Sequence, residues 1–195
     1  MNDLVLFMRA WLKSPAGTGA VLPSGTALAA AITAEIGPAT GRVLELGCGT
    51  GVFTRMLIKR GVPARYLTLI ECNTGFVQKL RSLFHDARVL CMDACGLEGT
   101  DLYGDGSRPG AVVCGLPLLS MPRSSVVSIL RGAFRQLHDD GALYLFTYGP
   151  RCPVPGRVLA ALNLKARRLR TVLANVPPAN VYKLTRVRAP HGGAA

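Results

Sequence analysis

Beyond Asp140 the sequence contains no acidic residue. Residues 151–195 carry nine bases (Arg151, Arg157, Lys165, Arg167, Arg168, Arg170, Lys183, Arg186 and Arg188) in a chain of 195 residues with net charge +12. A field of one sign attracts polyanions, either nucleic acid or an anionic membrane surface. The plainer alternative is a solvated face that serves solubility. Long apolar runs are also missing. No stretch approaches the roughly 18–20 apolar residues of a spanning helix, although 49% of residues are hydrophobic. Asp3, Arg9 and Lys13 interrupt the apolar N-terminus, which excludes a signal-peptide layout. The expected place is the cytoplasm, touching a membrane without crossing it. The six cysteines form no C-x-x-C pair. Three of them sit in or beside apolar runs, so they read as buried small hydrophobes in a reducing compartment, and no metal site is expected. No internal repeat, long linker or second domain is visible, and the length suits one domain with a proper core.

Residues 2–13 form an amphipathic helix candidate. Leu4, Phe7, Met8 and Trp11 follow i, i+3, i+4, i+7 spacing, with Arg9 and Lys13 on the other side. Periodicity alone fits two readings equally: a helix lying in a membrane interface and a helix packed over the domain core. A helix over 25–36 follows, ended by Gly37-Pro38. From Arg42 on, strands and helices alternate, which predicts a βαβ series with a parallel sheet. Strands are expected near 43–47, 66–70, 87–91, 110–114, 142–147, 168–174 and 181–187. Helices are expected near 52–60, 74–84, 122–137 and 155–163, with a disordered tail at 191–195.

The densest signal is Val43-Leu44-Glu45-Leu46-Gly47-Cys48-Gly49-Thr50-Gly51-Val52-Phe53-Thr54. An apolar strand with one Glu runs into three glycines at alternate positions, then a helix. Such a turn lets backbone N–H groups approach a ligand closely. Twenty residues on, Glu71 closes the run Tyr66-Leu67-Thr68-Leu69-Ile70. A glycine loop set between strand and helix, with an acid ending the next strand, is a strong combination. The G-x-G-x-G spacing argues against a nicotinamide-binding G-x-G-x-x-G turn. The pattern resembles the class I S-adenosylmethionine (SAM) methyltransferases. That resemblance implies a Rossmann-like α/β fold with a seven-stranded, mostly parallel sheet and helices on both faces. It implies SAM as cofactor, held by Glu45, Gly47, Gly49, Thr50, Gly51, Glu71, Cys72, Asp93 and Ala94. Glu45 would fix the loop and the methionine end, Glu71 the two ribose hydroxyls, and Asp93 the adenine amino group.

The fourth strand ends in Cys114-Gly115-Leu116-Pro117-Leu118-Leu119. Methyltransferases of adenine amino groups commonly carry Asn or Asp at the place of Gly115 and an aromatic at that of Leu118. They need an acceptor for the delocalised amine and a ring to hold the flipped base. Gly115 and Leu118 therefore argue against that chemistry. A primary alkyl amine needs only alignment and loss of a proton.

Several further segments make the likeness narrower. They are F-M-R-A-W-L-K-S-P from Phe7, G-A-V-L-P-S-G from Gly19, G-L-P-L-L from Gly115, F-T-Y-G-P from Phe146 and N-V-P-P-A-N-V-Y from Asn175. In this order they resemble bacterial SAM-dependent phospholipid N-methyltransferases, across nearly the whole chain. Cys48 stands where many relatives have Pro. The resemblance implies methyl transfer to the headgroup amine of phosphatidylethanolamine, and onward through its methylated forms toward phosphatidylcholine. It selects the membrane reading of the first helix, making 1–24 a docking segment and 25–190 the methyltransferase domain. Phe7, Arg9, Trp11, Lys13 and Arg151 would then meet lipid. Gly115, Leu116 and Tyr148 would border the reacting amine. Tyr148 read by itself is equally a core tyrosine, and Arg151 a surface arginine. His85 and His138 are expected at the opposite end of the sheet, so no side chain stands out as general base. The expected partners are phosphatidylethanolamine and an anionic membrane on the cytoplasmic side, without nucleic acid or metal, and the protein a monomer. The alternatives are an rRNA adenine N6-methyltransferase and an enzyme for another amine lipid such as ornithine lipid.

Overall fold

The structure, a computed structural model, describes residues 23–104, 106–174 and 177–187. The helix expected over 2–13, with its expected docking role, and the expected disordered tail at 191–195 lie outside those residues. Three strands, β1 (Val43–Leu46), β2 (Leu67–Glu71) and β4 (Ala111–Cys114), are buried at every position. Burial along the whole strand, in runs that are apolar but for Glu45, Thr68 and Glu71, is what a parallel strand covered on both faces requires. With β3 (Arg88–Cys91), β5 (Ala142–Thr147), β6 (Leu164–Val172) and β7 (Ala179–Arg186) they make one seven-stranded sheet in the order β3-β2-β1-β4-β5-β7-β6. Neighbours from β3 through β5 are parallel, and β7 runs antiparallel to both β5 and β6.

Side-chain alternation along the strands builds two cores. Leu44, Leu46, Val112, Leu143 and Leu145 face α4 (Arg123–Gln136) and α5 (Gly156–Ala161). Val43, Leu69, Val113 and Tyr144 face α1 (Pro23–Ile32), α2 (Val52–Lys59) and α3 (Thr74–Leu83). Strand order reverses between β1 and β4, so a crevice opens at their carboxyl ends. The expected α/β fold is therefore the one observed. No helix among the described residues is long and apolar enough to cross a membrane.

Several boundaries differ from the expectation. The first described helix spans Pro23–Ile32 rather than 25–36, because beyond Thr33 the N–H groups of Ala34 and Ile36 reach only three residues back, to the Ala31 and Thr33 carbonyls, and the chain passes into a turn. The sixth strand starts at Leu164 rather than 168. Lys165, Arg167 and Arg168 hide it in the sequence, since it is an exposed edge strand that pairs with β7 as far as Arg186. Tyr66 sits in a short 3-10 turn before β2, with the Arg65 guanidinium 5.2 Å from its ring centre. Two cysteines are buried, Cys48 and Cys114, whereas Cys72 and Cys91 are exposed at strand ends, so burial describes only part of the set.

A 3-10 stretch, Ala94–Gly99, lies where only a loop was expected and packs on α4. The contact has room for hydrogen alone at Gly132. A Cβ there would stand 2.5 Å from Leu97 Cβ and 2.7 Å from the Glu98 nitrogen. Helix propensity favours Ala over Gly by about 1 kcal/mol, but overpacking costs about 1–3 kcal/mol. Gly132→Ala is thus expected to lower stability by about 1 kcal/mol in urea unfolding. A gain in stability would show that the packing yields.

Candidate cofactor and acceptor site

The loop 47–51 leaves β1 at the reversal point and bends through three left-handed glycines, at φ 69°, 51° and 79° for Gly47, Gly49 and Gly51. Gly51 is required twice over. Its φ disfavours any side chain, and a Cβ would meet Phe84 Cε2 at 2.6 Å. The expectation that the glycine N–H groups reach a ligand is revised here. Gly47 donates to the Ile70 carbonyl at 2.8 Å, Gly51 to the Cys48 carbonyl at 2.9 Å, and Gly49 to Glu71 Oε2 at 2.9 Å. These bonds fix the shape of the loop, and Gly49 alone of the three has open space where a side chain would be.

Glu71 ends β2 and is buried. Its other oxygen, Oε1, accepts the Asn73 N–H at 2.9 Å. A carboxylate has about four lone-pair sites. The two backbone bonds and the neighbouring Cys72 thiol do not exhaust these sites, which leaves acceptor capacity for ribose hydroxyls. Cys72 follows directly, exposed, and burial together with the Glu71 carboxylate pushes its thiol up. After β3, the exposed Asp93 accepts the Cys95 N–H at 2.8 Å, which shapes the turn beside buried Ala94.

Glu45 is fully buried at the centre of the sheet. Thr54 of α2 donates to its Oε2 at 2.7 Å, while Oε1 has no hydrogen-bond partner. Removal from water pushes its carboxyl up to about 7, against the pull of the Thr54 bond. An orphaned buried acceptor is costly unless something completes it. A cationic ammonium, such as that of a bound methionine moiety, fits that need. Open space at Gly49, the remaining acceptor capacity of Glu71 and the orphan on Glu45 together suit SAM.

The acceptor side is apolar. Gly115 donates to the Leu46 carbonyl at 2.8 Å, and a Cβ on it would lie 2.6 Å from the Gly47 carbonyl oxygen. No side chain can stand there without moving the cofactor loop. Leu116 covers Gly47, Leu118 is buried, and Leu119 is 53% exposed. An aromatic row runs away from the loop. The Phe53 and Phe146 ring centres are 5.9 Å apart, and those of Phe146 and Tyr148 are 5.5 Å apart, both edge to face. Tyr148 is half-buried and Arg151 exposed.

All the expected cofactor residues, with Gly115, Leu116, Tyr148 and Arg151, thus lie along one edge of the sheet, at or beyond the carboxyl ends of β1 to β5. Phe7, Arg9, Trp11 and Lys13 lie outside the described residues. His85 and His138 are at the far edge as expected, where the His138 N–H donates to the Pro109 carbonyl at 3.0 Å. Thr54, Phe53 and Phe146 were missed. Glu45 and Thr54 are nine residues apart, and the clue was a hydroxyl on the inward face of α2. No group of residues that could hold a metal ion occurs among the described residues.

Residues 43–141 match the family model described as "Methyltransferase domain". The chain is 36% identical over 76 residues to ribosomal RNA small subunit methyltransferase A of Treponema pallidum, 39% of this chain and 25% of that protein. It is 42% identical over 77 residues to the biotin biosynthesis bifunctional protein BioCD of Bordetella avium, 37% of this chain and 16% of that one. The matched regions are thus a quarter or less of these relatives' lengths. Among solved structures, the fold is similar to a TehB-like SAM-dependent methyltransferase of Corynebacterium glutamicum, with TM-score 0.63 and 16% identity over 93% of this chain and 97% of that chain. It is also similar to the glycopeptide N-methyltransferase MtfA complexed with SAM, with TM-score 0.65 and 13% identity over 88% of this chain and 98% of that chain.

Two substitutions test the carboxylates separately. Glu71→Ala removes the acceptor of Gly49 and Asn73. Losing a charged acceptor costs about 1.5–3 kcal/mol, so SAM affinity by calorimetry should fall at least tenfold while the far-ultraviolet spectrum is unchanged. Glu45 carries the opposite sign of pH effect from an ordinary paired carboxylate. Its folded pKa of about 7 lies above the usual 4.5, so the folded state holds the extra proton between those values. Its contribution to stability is therefore full below about pH 4.5 and lost as the pH rises through 7. Glu45→Gln keeps a neutral acceptor for Thr54, so the ligand-free variant should match wild type near pH 5 and exceed its Tm at pH 8. Equal Tm differences at both pH values would contradict a buried, mostly protonated Glu45. By family match, fold and site, the chain belongs to the methyltransferase domain family, of the class I kind whose cofactor is SAM.

Proposed function

We propose that the protein transfers methyl groups from SAM to the headgroup amine of phosphatidylethanolamine at the cytoplasmic surface of an anionic membrane. The observation that carries this reading is the collision at Gly115. The position cannot hold the Asn or Asp that polarises an aromatic amine, whereas an alkyl amine needs no such group once deprotonated. Bound SAM supplies an electrophilic methyl group, with S-adenosylhomocysteine as the leaving product. The protein's part is alignment. Leu116 and Leu119 offer an apolar wall, Tyr148 orients the amine and presents its ring to the cation that forms, and Arg151 suits the lipid phosphate. The amine loses its proton to water, as no histidine or carboxylate stands among these four residues.

The same edge is suited to a bilayer. Leu119 is 53% exposed and Leu173, just past β6, is 77% exposed. Arg168 and Arg170 on β6 are exposed, as is Arg151. Each base near an anionic surface contributes about 1 kcal/mol, screened by salt. The second reading, rRNA adenine methylation, is favoured by the 36% identity over 76 residues to the Treponema enzyme and opposed by Gly115. Another amine lipid, such as ornithine lipid, fits the same wall.

One experiment separates them. The protein is incubated with methyl-labelled SAM and a mixture of small-subunit rRNA with phosphatidylethanolamine–phosphatidylglycerol vesicles. Label is expected in methylated phosphatidylethanolamine, less at high salt. Label in RNA, or none in lipid while SAM binds normally, would overturn the proposal.

A further inference from the structure

One buried amide ties together the chain ends that frame the acceptor side. Asn180, the second residue of β7, is 9% exposed. It stands in register with Thr147, the last residue of β5, and with Thr171 of β6. Its Oδ1 accepts the Thr171 hydroxyl at 2.7 Å, and its Nδ2 donates to the Gly149 carbonyl at 2.9 Å. The Gly149 N–H in turn donates to Thr147 Oγ1 at 3.0 Å. Gly149 is thus held through both its N–H and its carbonyl, and Tyr148 lies in the chain between Thr147 and this anchored residue. The Tyr148 ring leans edge-on against Phe146, and Phe146 against Phe53, the second residue of α2 and close to Gly51.

A turn held only by its own backbone would be free to swing. Here the amide joins it to two strands of the sheet, and a buried amide is replaced only at the cost of an unpaired partner. We infer that Asn180 is a positioning residue for methyl transfer. Through Gly149 it sets where Tyr148 stands relative to the cofactor loop, without touching acceptor or SAM. The inference rests on the reading that the acceptor enters beside Tyr148. Its consequence is a split in function. The bonds of Asn180 reach the acceptor side and none reaches Glu45, Glu71 or the 47–51 loop, so acceptor turnover depends on it and SAM affinity does not.

Asn180→Asp tests this with almost no change of shape. Oδ1 still accepts from Thr171, but a carboxylate oxygen then faces the Gly149 carbonyl, and the anchor becomes a repulsion. Thr171→Val is the milder companion. It removes the donor to Oδ1 and leaves the Gly149 bond in place, and it serves if the first variant fails to fold. Both are measured with phosphatidylethanolamine–phosphatidylglycerol vesicles for turnover, calorimetry for SAM affinity, and hydrogen exchange of peptides covering 146–152 and 45–54. For Asn180→Asp the expected result is kcat/KM for the lipid down about tenfold or more, SAM affinity within twofold, and faster exchange confined to 146–152. Thr171→Val should move the same quantities in the same direction by two- to threefold. Unchanged turnover, or a parallel loss of SAM affinity with faster exchange at 45–54, would overturn the positioning role. If the wild type methylates no lipid, the lipid reading fails by itself. The exchange pattern then decides whether Asn180 holds the turn, and unaltered exchange over 146–152 refutes it.

Discussion

The carboxylate of Glu71 is the constraint on which the cofactor site depends. It stands at the end of a fully buried strand and accepts two backbone N–H groups, one from the glycine loop and one from the turn that starts α3. Two connections leaving neighbouring strands are thereby closed on a single charged group. Hydrogen bonds to an ionised acceptor are about twice as strong as neutral ones. The glycines make the loop possible, but their N–H groups hold it together from inside. The surface left for the cofactor is shaped by that closure, with Gly49 open and the remaining acceptor capacity of Glu71 beside it.

Glu45 has the contrary character. It lies on the adjacent strand, wholly out of water, with one oxygen bonded to Thr54 and the other unmatched. Its neighbours do not offset the cost of burying its charge, so its proton is held to about pH 7. A site that is incomplete alone and complete with a cation is a common way to couple ligand binding to stability. One carboxylate builds the loop and the other keeps an unmatched oxygen, although both look alike in sequence as acids in or at the end of an apolar run.

The basic C-terminal third divides once it is folded. Glu35 binds Lys183 at 2.6 Å and Arg167 at 3.1 Å, and Tyr144 donates to the same carboxylate at 3.1 Å. That cluster fastens the end of α1 to three strands. Arg186 donates to the carbonyls of Phe134 and His138 at the end of α4. These bases belong to the architecture. Among the described residues of this third, Arg151, Arg157, Lys165, Arg168 and Arg170 remain exposed, and their charge is available to a polyanionic surface.

The sequence by itself determined the fold class, the position of the glycine loop and the two acids that flank it. Those features are local: an apolar run, a glycine turn that needs positive φ, and an acid at the end of the next run. It also placed the histidines away from the site, since their distance from the strand ends is a matter of counting. The tertiary structure decided how the same residues are used. Whether a glycine N–H points to ligand or to Glu71, whether Gly115 can carry a side chain, and whether Asn180 reaches Gly149 depend on residues 22, 68 and 31 positions apart. The edge strand β6 was half legible for the same reason. Its arginines give no apolar signal, and only its pairing with β7 makes it a strand. Contacts of such separation leave no periodicity in the chain, because they are set by the order in which strands lie side by side.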